Sequence, residues 1–167
     1  LECCSVDDQA KKEGRRLIYL DEINFTKLAI KSREWSAKNS NLTVDQEDIY
    51  TGYRSVIASM SEERGYEFTQ IHSKAIDADD FIHYLKKLRK KSGQQPLTIF
   101  MDQLAVHKSS TVKPVYGQLD MTTIYNVGYS PAFNPVESTF SKAKRLFNDQ
   151  RLNNLVNKTG FNADNEI

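Results

Sequence analysis

The sequence predicts an α/β domain with a mixed five-stranded sheet, made of three antiparallel meander strands and two parallel strands, flanked by helices. Two short runs, residues 17–20 and 97–101, are almost continuously apolar, which is typical of strands buried on both faces of a sheet. A helical period begins after residue 77, and strand and helix then alternate. That alternation indicates crossover connections between parallel strands.

The first half of the chain has the pattern of an antiparallel meander. Residues 16–21 form the first strand-like run, and residues 25–35, which end near a tryptophan, form a second. A strand-like pattern is found again over residues 50–60, a turn is predicted at 61–65, and the strand-like pattern continues over 66–71. Short runs of this kind separated by turn residues predict neighbouring antiparallel strands.

An amphipathic helix follows the meander, because apolar side chains recur there at spacings of three and four. Asp77 is a plausible N-cap and Ser92-Gly93 ends the helix. The stripe consists of Ala78, Phe81, Ile82, Leu85 and Leu88. Its last turns carry Lys86, Lys87, Arg89, Lys90 and Lys91. These cations suit the helix C-terminus as a solvated face, with DNA binding as the alternative.

The remaining elements are short until the last helix. A buried strand over residues 97–102 precedes a helix over 109–118. Pro114 is expected to limit the length of this helix or to kink it. A strand over 121–127 and a helix from Pro135 complete the domain. The last helix presents Val136, Phe140, Ala143 and Phe147 on one side.

Composition places the chain among globular proteins. Its 167 residues suit one domain with a real core; 39% are hydrophobic, 27% are charged, and the net charge is +1. No apolar run approaches a membrane span and no signal peptide is visible, so we expect neither membrane association nor secretion. Cys3 and Cys4 are predicted to be free thiols in a reducing compartment. An intracellular location follows, nuclear in a eukaryote and otherwise cytoplasmic.

Three carboxylates stand at the edges of predicted core elements. Asp21 and Asp102 each follow an apolar strand, and Glu137 lies in the first turn of the last helix. Asn134 is a good N-cap and Pro135 fits the first helical position. Glu137 could therefore close a capping box. If the two strands are parallel neighbours, however, Asp21 and Asp102 meet at one rim of the sheet, where three acids could hold a divalent metal.

These segments resemble the catalytic core of mariner-superfamily transposases of the worm-type branch and their bacterial insertion-sequence relatives, over residues 16–149. Leu20-Asp21-Glu22 with Phe25 is similar to the first catalytic segment, and Trp35 to a tryptophan of the early hairpin. Phe100-Met101-Asp102-Gln103 with His107 resembles the second, with glutamine in place of asparagine. Tyr129-Ser130-Pro131 and Asn134-Pro135-Val136-Glu137 resemble the third, with Ala132 and Phe133 departing from it. The 34 residues between Asp102 and Glu137 match the worm-type gap.

The resemblance implies an RNase H-like fold and a catalytic triad of Asp21, Asp102 and Glu137 that cleaves DNA and transfers the strand of a transposon end. The same three residues would bind two Mg²⁺ ions, with Mn²⁺ as a substitute; Asp21 would bridge both. The DNA would be transposon ends and a target, typically at TA, and the enzyme would be a homodimer. His107 could contact a substrate phosphate or complete a local turn. Further candidates for DNA backbone contact are Lys108, Lys142, Lys144 and Arg145.

Two other hypotheses remain at this point. A domesticated transposase could serve as a DNA-binding or structural protein with little or no catalysis. Another RNase H-like nuclease or integrase is disfavoured by the Tyr-Ser-Pro signature. The predicted organisation is a lead-in or linker over residues 1–14, the catalytic domain over 15–150, and a polar, Asn-rich tail over 151–167.

Overall fold

The computed structural model describes residues 8–25, 53–126 and 134–159, with side chains up to residue 150. Residues 8–12 form a helical turn before the first strand. The elements that follow are β1 (Arg16–Phe25), β2 (Arg54–Ser61), β3 (Gly65–His72), α1 (Ala78–Ser92), β4 (Leu97–Met101), α2 (Lys113–Gln118), β5 (Met121–Tyr125) and α3 (Pro135–Thr159). Among these helices none combines the length and apolar character that a membrane span requires.

The five strands form one mixed sheet in the order β3-β2-β1-β4-β5. β1 is central, antiparallel to β2 and parallel to β4, and β5 is parallel to β4. β3 completes an antiparallel meander with β1 and β2. The predicted mixed sheet of antiparallel and parallel strands is confirmed.

β1 is longer than the sequence predicts, and this changes the position of Asp21. The strand was expected to end at Asp21 but continues to Phe25, because β2 pairs with it as far as the Phe25–Arg54 pair. Its parallel pairing with β4 stops earlier, at Tyr19 and Phe100. Asp21 therefore lies just beyond the end of the parallel ladder rather than at the end of its strand.

Two apolar cores lie on opposite faces of the sheet. Alternate β1 side chains such as Ile18 and Leu20 pack with α1 and α2 on one face. Leu17 and Tyr19 point to the other face, where they pack with α3. Ala10 of the N-terminal turn also belongs to this second core, so residues 8–12 contribute to packing although the sequence suggested only a lead-in. The burial of both faces explains why β1 is almost continuously apolar.

Helix α1 begins and ends as predicted. The Asp77 carboxylate accepts a hydrogen bond from the N–H of Asp80 at 2.9 Å. The Asp80 carboxylate in turn accepts one from the N–H of Asp77, and the two hydrogen bonds form a capping box. Gly93 follows the helix with φ +79°, a conformation that suits glycine. Arg89 donates to the carbonyls of Gln94 and Gln95, so this cation secures the helix end.

Helices α2 and α3 differ from expectation. α2 starts at Lys113, not near residue 109, because residues 105–112 form turns and Pro114 occupies the first helical turn, where its missing N–H costs nothing. Pro114 therefore neither shortens nor kinks the helix. α3 continues through Thr159, whereas the sequence suggested fraying after residue 150. The predicted strand over 25–35 and Trp35 lie outside the described residues, apart from Phe25.

Candidate active site

The three predicted carboxylates come together at one edge of the sheet. Asp21 is on β1, Asp102 directly follows β4, and Glu137 is in the first turn of α3. The Asp21 carboxyl lies close enough to those of Glu137 and Asp102 for their charges to raise its pKa. Glu137 thus lies beside Asp21, and its role in a catalytic site stays a prediction, with the capping box as the alternative.

Burial sets the protonation of Asp21. The residue is only 9% exposed, and this burial, reinforced by the charges of Glu137 and Asp102, raises the pKa of its carboxyl to about 7. The N–H of Glu22 donates to Asp21 Oδ1 at 2.7 Å and opposes the shift. Near neutral pH the Asp21 carboxyl is therefore partly protonated.

Asn134 joins the start of α3 to β1. Its Oδ1 accepts a hydrogen bond from the N–H of Val136 at 3.2 Å, which is the predicted N-cap. Its Nδ2 donates to the carbonyl of Leu20 at 3.3 Å and approaches Asp21 Oδ2 at 3.5 Å. The sequence indicated the cap but not the second contact, because nothing local connects Asn134 with β1. One buried side chain thus sets the position of Glu137 relative to Asp21.

His107 lies between the first two catalytic segments. Its Nδ1 is 3.0 Å from Asp102 Oδ1 and its Nε2 is 3.0 Å from Glu22 Oε1. The residue is 1% exposed. Burial opposes the charged ring, but the hydrogen bonds to Asp102 and Glu22 outweigh it and raise the pKa of His107 to about 9. The imidazolium can donate from both nitrogens, so this geometry favours the local structural role over a phosphate contact.

Asp102 is more exposed than Asp21, with 43% of its side chain accessible. Burial alone would raise its pKa, but hydrogen bonds from His107 and from the N–H of Leu104 lower it below the ordinary value. Asp102 is therefore ionised where Asp21 holds a proton. Two acids of the same type thus differ in charge because their neighbours differ.

The basic candidates fall into two groups. Lys108 donates to Gln103 Oε1 at 2.6 Å and lies over the ring of Tyr125 at 4.8 Å. The exposed candidates Lys142, Lys144 and Arg145 are all on α3. Along the described stretches of the chain, none of these three forms an ion pair with a carboxylate. Their role in DNA binding stays a prediction.

The donor set suits a hard divalent cation, since it consists of carboxylate oxygens. Within the described parts of the chain, no three His, Cys, Asp or Glu side chains already stand in a ligating cluster. Burial raises the pKa of Asp21, and the charges of Glu137 and Asp102 add to this increase through a repulsion that a bound cation would relieve. Tyr129, Ser130 and Pro131 of the third segment lie outside the described residues.

Structural comparison confirms the RNase H-like fold. The Mos1 transposase paired-end complex with left transposon end matches with a TM-score of 0.61 at 13% identity, over 86% of this chain and 46% of that chain. The Mos1 transposase catalytic domain with raltegravir and Mg matches at 0.58 and 13% identity, over 86% and 69%. A simian T-cell lymphotropic virus intasome with PP2A regulatory subunit B56 gamma matches at 0.58 and 14%, over 84% and 42%.

The chain spans less than half the length of the Mos1 transposase in the paired-end complex. No curated protein matches its sequence. A sequence model of the family described as DDE superfamily endonuclease matches residues 16–156, which contain all three carboxylates. The chain therefore belongs to the DDE superfamily endonucleases.

Proposed function

We propose that this chain is the catalytic core of a DDE transposase, which cuts DNA at a transposon end and joins that end to target DNA. The observation that carries the proposal is the convergence of Asp21, Asp102 and Glu137 from three distant segments. In the first step water attacks the scissile phosphorus and the P–O3′ bond breaks, leaving a 3′-hydroxyl. In the second step this hydroxyl attacks a phosphodiester of the target and bonds to its phosphorus, while the P–O3′ bond of the target breaks and leaves a target 3′-hydroxyl.

Asp21, Asp102 and Glu137 would hold Mg²⁺ or Mn²⁺. Bound cations would neutralise the charge that develops on the phosphate and promote deprotonation of the attacking water. Asp102 is prepared for this role by its lowered pKa. Asp21 is not, because its pKa is about 7, so cation binding must compete with protonation of its carboxyl. We therefore expect cation affinity to rise between pH 6 and pH 8.

The DNA partner would contact the exposed cations of α3. Lys144 and Arg145 lie about two turns after Glu137, roughly 10–12 Å along the axis at 1.5 Å per residue. A duplex whose scissile phosphate reached Glu137 could place neighbouring phosphates near them. Mos1, which has the same fold, has been solved as a paired-end complex with a transposon end and as a strand-transfer complex, which supports DNA as the partner. Dimerisation and TA target choice are further parts of the proposal.

The direct test is a strand-nicking and strand-transfer assay with Mg²⁺ or Mn²⁺ on pre-cut and uncut end substrates at high protein concentration. We expect cleavage to fall at least 100-fold in Asp102→Asn and Glu137→Gln. Asp149→Asn is the matched control, because Asp149 is an exposed acid on the same helix as Glu137. Activity that persists in the two site variants would overturn the assignment.

A second measurement separates cation binding from catalysis. Mn²⁺ should raise the midpoint of thermal unfolding of the wild-type chain and of Asp149→Asn, and much less that of Glu137→Gln, because a ligand that binds only the folded state stabilises it. If Mn²⁺ stabilises the chain but no DNA is cleaved, the chain binds the cation and lacks productive DNA binding. Equal stabilisation of all three proteins would show that the cation binds elsewhere.

A further inference from the structure

The strands that carry the first two carboxylates are not joined by backbone hydrogen bonds at the site. The parallel pairing of β1 and β4 ends at Tyr19 and Phe100, and Asp21 and Asp102 each lie two residues beyond it. Past this point β1 is held by β2, and the chain after β4 leaves the sheet. The backbone ladder therefore does not fix the separation of Asp21 and Asp102.

The ring of His107 bridges this gap. One ring nitrogen is 3.0 Å from Glu22, the neighbour of Asp21 on β1, and the other is 3.0 Å from Asp102. Glu22 is itself 12% exposed at its side chain, and it points to the opposite face of the sheet from Asp21. The contact thus links the two strand ends from the α1 face, opposite to the face on which α3 packs.

The bridge is rigid because its surroundings hold the ring from several sides. The Phe81 ring of α1 lies 4.5 Å from the imidazole, centroid to centroid. The backbone carbonyl of His107 accepts hydrogen bonds from the hydroxyls of Tyr116 at 3.1 Å and Tyr125 at 3.5 Å. Its backbone N–H donates to the carbonyl of Leu104. Because the His107 side chain is held in this way, a shift of Glu22 on β1 would also move the Asp102 carboxylate.

We propose that Glu22 and His107 are positioning residues, which set the place and orientation of the Asp102 carboxylate relative to Asp21. The inference rests on the proposed function, since it assigns Asp102 to the reaction. Neither residue is a ligand in this scheme, because both ring nitrogens of His107 face carboxylates and Glu22 faces away from Asp21. Partners of this kind, one step removed from a metal, typically change affinity by 10- to 100-fold when removed.

Two pairs of variants test the bridge. The amide nitrogen of Asn at position 107 falls near the place of Nδ1, so His107→Asn can keep the contact with Asp102 but not with Glu22; His107→Gln reaches Glu22 instead. Glu22→Gln keeps an acceptor for the ring, whereas Glu22→Ala removes it. We expect Mn²⁺ affinity to fall roughly 10- to 100-fold in His107→Gln, His107→Asn and Glu22→Ala, each of which breaks one half of the bridge, and least in Glu22→Gln, which keeps both halves.

An NMR measurement on the metal-free chain makes the test independent of catalysis. The side-chain carboxyl ¹³C signal of Asp102, assigned with Asp102→Asn, should shift or broaden in Glu22→Ala, although Glu22 and Asp102 are linked only through the ring. Glu22→Gln should restore it. An unchanged signal in Glu22→Ala would overturn the positioning role. If the wild-type chain fails to bind Mn²⁺ while this signal responds, the proposed function fails and the bridge stands.

General destabilisation is controlled with Leu88→Ala. Leu88 is fully buried on α1, in the turns after Phe81, so its truncation lowers stability without touching the bridge. Measured below the unfolding transition, its Mn²⁺ affinity and Asp102 signal should match the wild type. If Leu88→Ala loses Mn²⁺ affinity as strongly as Glu22→Ala, the effect is one of stability and the inference is wrong.

Discussion

At the scale of single residues, Asp21 is a carboxyl group whose charged form is destabilised by its surroundings. A carboxyl that is 9% exposed and beside two other acids is unfavourable in its charged form. Its folded-state pKa of about 7 lies above the ordinary 3.8, so the folded chain binds a proton more tightly than the unfolded chain. Above pH 7 this carboxyl lowers stability, and the loss disappears as the pH falls from 7 towards 4.

Asp21→Asn should therefore stabilise the metal-free chain while abolishing cleavage. One pKa unit corresponds to about 1.4 kcal/mol, and we expect a gain of roughly 1–3 kcal/mol at pH 8 and little change at pH 4. Urea unfolding with EDTA at several pH values measures this. Asp149→Asn should leave stability unchanged throughout. A loss of stability in Asp21→Asn at pH 8 would contradict the burial argument.

At the scale of elements, the start of α3 determines how the third carboxylate meets the first. Asn134 caps the helix with its oxygen and contacts β1 with its nitrogen. The two functions are chemically separable, because Ser and Asp are also good caps but neither has the amide donor. The helix could thus form normally and still present Glu137 in the wrong place.

Asn134→Asp and Asn134→Ser distinguish the two functions. Asp keeps the cap but adds a charge beside Asp21, so the variant should lose more stability at pH 8 than at pH 5. Ser should cost about 1 kcal/mol at both, since it loses contacts but adds no charge. Denaturant unfolding at the two pH values gives the comparison. Equal losses in Asn134→Asp would show that residue 134 does not interact with Asp21.

The sequence predicted those elements whose signal is local. The stripe and cap of α1 and the buried runs of β1 and β4 follow from side-chain period, so the meeting of Asp21 and Asp102 was foreseeable once the strands were taken as parallel neighbours. The extension of β1 to Phe25 was not, because it depends on pairing with β2. The Glu22–His107 contact spans 85 residues and leaves no period in the sequence.

At the scale of the whole molecule, a buried ion pair connects several elements at the end of β1 that lies farthest from the site. Arg16 of β1 is fully buried and donates to the carbonyl of Ser92 at the end of α1, at 2.8 Å. It also lies 3.6 Å from Glu67 of β3, whose carboxylate accepts a hydrogen bond from Ser61 at 2.6 Å. One side chain thus contacts β3 and α1 while belonging to β1.

Arg16→Met should cost about 3–5 kcal/mol, because it leaves the Glu67 carboxylate buried without its cation. The double variant Arg16→Met/Glu67→Gln should recover most of that loss, since no unpaired charge remains. Equilibrium urea unfolding measures both. Glu62→Gln is the control: it breaks the exposed Lys11–Glu62 pair and should cost under about 1 kcal/mol. Equal losses in the single and double variants would mean that Arg16 acts through packing alone.

The placement of Glu137 at the start of the final helix has a consequence during protein synthesis. A ribosome making this chain releases Asp21 and Asp102 well before Glu137, and until α3 docks on β1 the emerging polypeptide has at most two of its three acids in place. A nascent chain, or a product of premature termination before residue 134, would be unable to cut DNA. The cleavage proposed for this site would thus become possible only late in translation.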